Sequence, residues 1–133
     1  MKSIIFIRHA KSSWEFNLPD KKRPLNKRGL FDADFMSSLE LVKSLKPEAV
    51  FCSNAVRTRE TCYAFLKNDV FPDDIVTYTD HLYVFDHLDL KTFMTTLNPK
   101  LSKIFIFGHN NALTELVNQL GEVAIENIPT CGI

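Results

Sequence analysis

The 133 residues suffice for one domain with one substantial core and are too few for two of ordinary size, so no internal boundary is expected. Sixteen basic against sixteen acidic side chains give a formal charge of zero, which argues against a surface built mainly for nucleic acid or an anionic membrane; any anion site must be local. No apolar run approaches the roughly 18 residues of a membrane span. The three cysteines, Cys52, Cys62 and Cys131, suit neither a disulfide framework nor a zinc knuckle, so a soluble protein of a reducing, cytoplasmic compartment is expected.

In chain order, Ser3-Ile4-Ile5-Phe6-Ile7-Arg8-His9-Ala10 comes first: four apolar residues, as in a strand covered on both faces, run directly into an arginine and a histidine. The pair then stands at the strand's carboxyl end, where open α/β sheets present ligands; a surface Arg-His pair is the bland alternative. Lys11 to Arg28, broken by Pro19 and Pro24, reads as a long loop, with Trp14 and Phe16 expected to pack it onto the body. Asn26 can cap a helix whose apolar positions Phe31, Phe35, Leu39, Val42 and Leu45 predict its buried face, with Pro47 ending it.

Ala49-Val50-Phe51-Cys52 predicts a second buried strand, followed by Ser53-Asn54 as caps of a helix from about Ala55 to Lys67. That helix carries Arg57 and Arg59 in its first turns, where the dipole disfavours cations unless an anion lies nearby. Cys62 falls near its Phe65 face and reads as core, and Cys52 as strand interior. Ile75-Val76-Thr77-Tyr78 predicts a third strand. Thr79 to about His87 reads as loop before a helix with Leu90, Phe93, Met94 and Leu97 on one face, stopped by Asn98-Pro99. Lys103-Ile104-Phe105-Ile106-Phe107 predicts the fourth strand, ending in Gly108-His109-Asn110 ahead of a helix with Leu113, Leu116, Val117 and Leu120 and a Gly121 cap; an irregular Glu126–Thr130 tail follows.

This alternation predicts an α/β fold, a three-layer α/β/α sandwich with a mostly parallel central sheet over residues 1–133. If strands one, two and four are parallel, Arg8, His9, Arg57 and His109 share one sheet edge. Two arginines supply forked donors matched to phosphate oxygens, and helix starts near Asn54 and Asn110 add backbone N–H groups. A neutral histidine nitrogen in such a pocket can attack phosphorus, leaving a phosphohistidine for water to open.

These residues resemble the histidine phosphatase superfamily, related to the phosphoglycerate mutases, whose signature is Arg-His-Gly at the end of the first strand. Here it reads Arg8-His9-Ala10. The resemblance runs through Trp14, Pro24-Leu25, Gly29, the stretch Ser53 to Thr61 and Gly108-His109-Asn110, and so covers nearly the whole chain. It is similar to the short SixA type, phosphohistidine phosphatases without long insertions. The resemblance implies His9 as nucleophile, Arg8, Arg57 and His109 as catalytic phosphate ligands, no cofactor and no metal, and a phosphorylated substrate such as a phosphohistidine protein. Without a covering subdomain the pocket should be shallow, with a protein surface supplying its missing walls.

Three departures accompany it. Ala10 replaces the usual glycine and would be strained by about 1 kcal/mol if its φ were positive. The family's proton donor has no unambiguous match, with Asp80 and Asp86 as candidates. The chain stops at Ile133, just where the resembled family starts a further strand, which implies a truncated or shortened sheet edge. Two alternatives stay open beside the phosphohistidine reading: a phosphate-binding pseudoenzyme, and a broad small-molecule phosphomonoesterase of the same superfamily. A metal hydrolase built on Asp80, His81, Asp86 and His87 is disfavoured, since their spacing forms no tight ligand cluster.

Overall fold

In the computed structural model residues 3–15 and 17–109 are described. Phe16, the expected helix from Asn110 with Leu113 to Leu120, its Gly121 cap, the Glu126–Thr130 tail, Cys131 and the end at Ile133 lie outside them.

Four parallel strands form one sheet: β1 (Ser3–Arg8), β2 (Ala49–Ser53), β3 (Val76–Thr79) and β4 (Lys103–Gly108), in the spatial order β1-β4-β2-β3. Because side chains alternate across a strand, each strand feeds both faces. Ile5, Ile7, Val50, Cys52, Phe105 and Phe107 join one core with Cys62 and Phe65, while Ile4, Phe6, Phe51, Ile104 and Ile106 join another with Leu82, Leu90 and Leu97. Edge-to-face ring pairs fasten both layers: Phe65 on Phe107 at 5.0 Å and Phe51 on Phe93 at 5.7 Å. The sheet is thus sandwiched between α2 (Glu40–Lys43) and α3 (Val56–Lys67) on one side and α4 (His87–Met94) on the other, with α1 (Lys27–Ser38) packed on α3.

The first helical region departs from the expected pattern. Asn26 caps it as predicted, its side chain accepting from Gly29 N–H at 2.8 Å. The buried stripe, however, is Gly29, Ala33 and Ser37, at a spacing of four, whereas Phe31 and Phe35 stand 69% and 54% exposed. Close approach is the reason. A Cβ on Gly29 would meet the Lys11 carbonyl oxygen at 2.0 Å, so only small residues let α1 reach the loop after β1 and pack on α3. Phe31 and Phe35 lie two positions from that stripe, about 200° round the helix. The helix also breaks at Leu39, which is extended (ψ 134°), and resumes as α2, rather than running to Pro47.

Smaller corrections concern element starts. α3 begins at Val56 with Ala55 as a cap that makes no side-chain bond, so neither Ser53 nor Asn54 caps it as expected. α4 is capped by Asp86 and ends at Met94, although Leu97 is still buried beyond it. A single 3-10 turn, Asp80–Leu82, occupies part of the expected loop. Ala10 carries no strain: left-handed backbone among the described non-glycine residues is confined to Lys46 and Asp69, and Ala10 is fully buried in a small cluster with Leu25 and Ala33.

Candidate active site

Parallel register places the chemistry. Arg8 pairs with Gly108, and Cys52 and Ile7 both pair with Phe107, so β1, β4 and β2 end level with one another. The next residues along β1 and β4 are His9 and His109. Backbone bonding continues one step past the strand, His9 N–H donating to the Gly108 carbonyl at 3.1 Å, and the two rings lie 5.3 Å apart. The first turn of α3 then brings in Arg57, which is 2% exposed. The structure therefore brings Arg8, His9, Arg57 and His109 together as the topology predicts.

The direction of each hydrogen bond fixes the proton positions. His9 Nδ1 lies 2.7 Å from the Ala10 carbonyl, which can only accept, so Nδ1 carries the hydrogen. Its Nε2 accepts from Arg57 Nε–H at 3.3 Å, since a guanidinium can only donate. By the same logic Arg57 Nη2 donates to His109 Nδ1 at 3.4 Å, and His109 Nε2–H donates to Ser53 Oγ at 2.8 Å. Ser53, expected as a helix cap, instead seats this histidine.

Both rings are held neutral. Burial pushes His9 down to about 4; the bond to the Ala10 carbonyl opposes this, and the charges of Arg57, Arg8 and Arg23 add to it. Burial likewise lowers His109 to about 3, reinforced by Arg57. Arg8 is also lowered, by burial and then by Arg57, which is the mark of a pocket with surplus positive charge.

Asp20 supplies the counter-charge, and nothing in the sequence periodicity singled it out. Its backbone carbonyl accepts from Arg57 Nη1 at 2.6 Å and its Oδ2 from Arg57 Nη2 at 3.0 Å, while Tyr83 O–H donates to the same carboxylate oxygen. Arg23 Nη2 holds Oδ1 at 3.1 Å. Burial alone raises the Asp20 carboxyl, but the bonds from Tyr83, Arg57 and Arg23 outweigh it and hold it at about 2. Asp20, Arg23 and Tyr83 escaped notice because a loop's approach to a sheet edge has no period. The available signal was the Asp20 and Arg23 spacing of three immediately ahead of Pro24.

Arg8, His9, Asp20, Arg23 and Arg57 line a cleft of about 470 Å³, walled also by Lys11, Trp14, Glu15 and Phe85, with His109 buried behind it. Trp14 does not pack the loop onto the body as expected. It is 78% exposed, and the buried Arg23 guanidinium lies 3.5 Å from its ring centre. Phe85 leans on His109 with ring centres 5.1 Å apart.

Asp80 and Asp86 do not line this cleft. Asp80 pairs with Lys21, and Asp86 Oδ1 accepts from Leu88 N–H at 2.7 Å as the cap of α4. His81 is exposed, and no group of three or more potential metal ligands assembles among the described residues. No described helix is long and apolar enough to cross a membrane.

This α/β/α sandwich on a parallel sheet is a fold shared with solved structures of the SixA type and of other phosphatases, among them an ecdysone phosphate phosphatase of Bombix mori. It superposes on the SixA protein of Agrobacterium tumefaciens with a TM-score of 0.81 at 21% identity, over 96% of this chain and 86% of that one. The protein histidine phosphatase SixA complexed with tungstate gives 0.80 at 17% identity, over 97% and 83%. In sequence, an uncharacterised chloroplastic protein of Arabidopsis thaliana is 31% identical over 141 aligned positions that take in 98% of this chain; the chain spans 63% of that relative's length. No family profile matches the chain.

Proposed function

We propose that this chain is a histidine-type phosphatase that passes a phosphoryl group from its substrate to His9 Nε2 and then to water. The observation that carries the reading is the bond from His9 Nδ1–H to the Ala10 carbonyl. It leaves the nucleophilic lone pair on Nε2, at the wall of an open cleft, where it accepts from Arg57 Nε–H until a substrate takes that bond's place. A ring held neutral at physiological pH needs no deprotonation before it attacks. Likeness to a SixA phosphatase that binds tungstate, a tetrahedral oxyanion like phosphate, supports the same site use.

In the first step the Nε2 lone pair forms a bond to phosphorus as the bond to the leaving group breaks, and the leaving group departs with that electron pair. Arg8 and Arg57 neutralise the oxygens of the transferring group, the role a metal ion fills in other phosphatases. His109 accepts from Arg57 Nη2 on its Nδ1 and so steadies the guanidinium that holds the transferring group. In the second step water attacks phosphorus and the P–Nε2 bond breaks, returning neutral His9 and inorganic phosphate.

The substrate class follows from the leaving group. Asp20 is held ionised, and Asp80 and Asp86 are engaged away from the cleft, so none of the three serves as general acid, and Glu15 is the one other carboxyl on the described wall. An imidazole leaves with a conjugate acid near 6.5, whereas an alkoxide needs a proton in the transition state. A phosphohistidine-bearing protein should therefore be cleaved faster than a sugar phosphate, with activated aryl phosphates between. The fully buried, free Cys52 and Cys62 suit the cytoplasmic placement of this reading.

Trapping with a labelled phosphodonor tests the mechanism. The label should map to His9 Nε2, His9→Ala should fold yet retain at most a few per cent of the turnover, and chelators should make no difference. A label on serine, aspartate or cysteine, or an active His9→Ala variant, would overturn it. A sugar phosphate ranking first in kcat/KM would sink the substrate assignment.

A further inference from the structure

Behind His9 runs a closed circuit of hydrogen bonds whose last member, Thr61, has no contact with the cleft. Arg57 Nε–H donates to His9 Nε2 at 3.3 Å, and His9 Nδ1–H donates to the Ala10 carbonyl at 2.7 Å. Ala10 N–H then donates to Thr61 Oγ1 at 2.9 Å, and the Thr61 hydroxyl donates to the Arg57 carbonyl at 2.8 Å. The ring joins the end of β1 to the first turns of α3 through residues 48 and 51 positions apart in sequence.

Each link runs one way only. Guanidinium and amide N–H groups cannot accept, and carbonyls cannot donate. The Thr61 hydroxyl hydrogen is committed to the Arg57 carbonyl, so its oxygen must face Ala10 with a lone pair. That fixes the His9–Ala10 peptide and, through the Ala10 backbone, the peptide that follows, whose carbonyl holds the His9 hydrogen on Nδ1. Ala10 and Thr61 are both fully buried, so no water can substitute for a missing link.

We propose that Thr61 is a positioning residue for the nucleophile, acting through the backbone of Ala10 to keep His9 in its Nδ1–H tautomer, with the Nε2 lone pair free of hydrogen. The inference rests on the reading of His9 as nucleophile, but its primary readout needs no turnover. The small, buried residue after His9 follows from it: the position must present both its N–H and its C=O to partners while its side chain fits between Leu25 and Ala33.

Histidine nitrogen-15 NMR of the whole chain tests this, with kinetics alongside. In the wild type His9 should show a protonated Nδ1 and an unprotonated Nε2; the opposite tautomer there would refute the proposal without any variant. Thr61→Val keeps the shape, removes the hydroxyl, and should give a mixture of tautomers. It should lower kcat by about 10- to 100-fold with KM nearly unchanged, the scale on which partners behind a functional histidine act. Thr61→Ser restores the hydroxyl and should recover most of the rate and the single tautomer. A Thr61→Val protein that is less stable but keeps the Nδ1–H tautomer and its kcat would reduce Thr61 to a packing residue and overturn the inference. Failure of the underlying reading is distinguishable: His9→Ala would then stay active whatever the tautomer.

Discussion

Acidification probes the two neutral histidines through stability alone. In the unfolded chain a histidine titrates near 6.5, whereas folded His9 titrates at about 4 and His109 at about 3. Below about pH 6.5 the unfolded chain therefore binds protons that the folded chain refuses. Stability from these groups is complete above that pH and is lost as the pH falls, levelling off only when the folded site itself takes up protons. Each unit of displacement is worth about 1.4 kcal/mol, so His9 alone should lose about 3 kcal/mol between pH 7 and pH 4. His9→Asn fills much of the same space and cannot titrate. Urea denaturation of both proteins at pH 7, 5.5 and 4 measures the difference. The variant should lose about 3 kcal/mol less than the wild type over that range, or about 1–3 M in midpoint for ordinary urea slopes. Asp20 does not confuse the result, since its window lies lower, between its usual value and about 2. Wild-type and variant profiles that run parallel from pH 7 to 4 would refute the claim that burial keeps His9 neutral.

Arg57→Ala should lower kcat by on the order of 100-fold or more, the cost of one preorganised donor, while Arg59→Ala changes it little, because Arg59 is exposed and lies over Tyr78 at 4.7 Å; equal losses in steady-state assays would contradict the placement of α3. Asp20→Asn removes a negative charge one guanidinium away from the proposed phosphate position, a repulsion on the order of 1 kcal/mol. Inorganic phosphate should then inhibit about fivefold more tightly, and unchanged or weaker inhibition would show that Asp20 serves only to orient Arg57. Gly29→Ala should cost about 1–3 kcal/mol in thermal or chemical unfolding, because the atom its Cβ meets is the Lys11 backbone oxygen and cannot swing aside; a neutral substitution would mean that α1 is free to retreat.

The sheet was legible because its strands are short apolar runs, and a residue directly after a parallel strand has only one edge to occupy. That is why His9 and His109 could be placed together from their positions alone, and Arg57 with them from its place one turn into the following helix. The buried face of α1 was not legible by counting apolar residues. Gly29, Ala33 and Ser37 earn their burial by being small, and a hydrophobic periodicity is blind to that, so it selected Phe31 and Phe35 instead. The loop contributions were hidden for another reason. Asp20 and Tyr83 lie 63 residues apart and meet only because two irregular segments cross the same sheet edge, an encounter that neither segment encodes by itself.

The strand order also sets when the site can exist. The described partner of β1 is β4, about one hundred residues later, and β4 is also the strand that joins β1 to β2. During synthesis, then, His9 emerges well before the strand that seats it. Until Lys103–Gly108 has been made, the apolar run Ile4–Ile7 lacks that mate, and such non-local pairing is slow to form. Newborn chains should be most prone to self-association in that interval, and a chain cut short before β4 would lose His9's backbone anchor at Gly108 together with His109 itself.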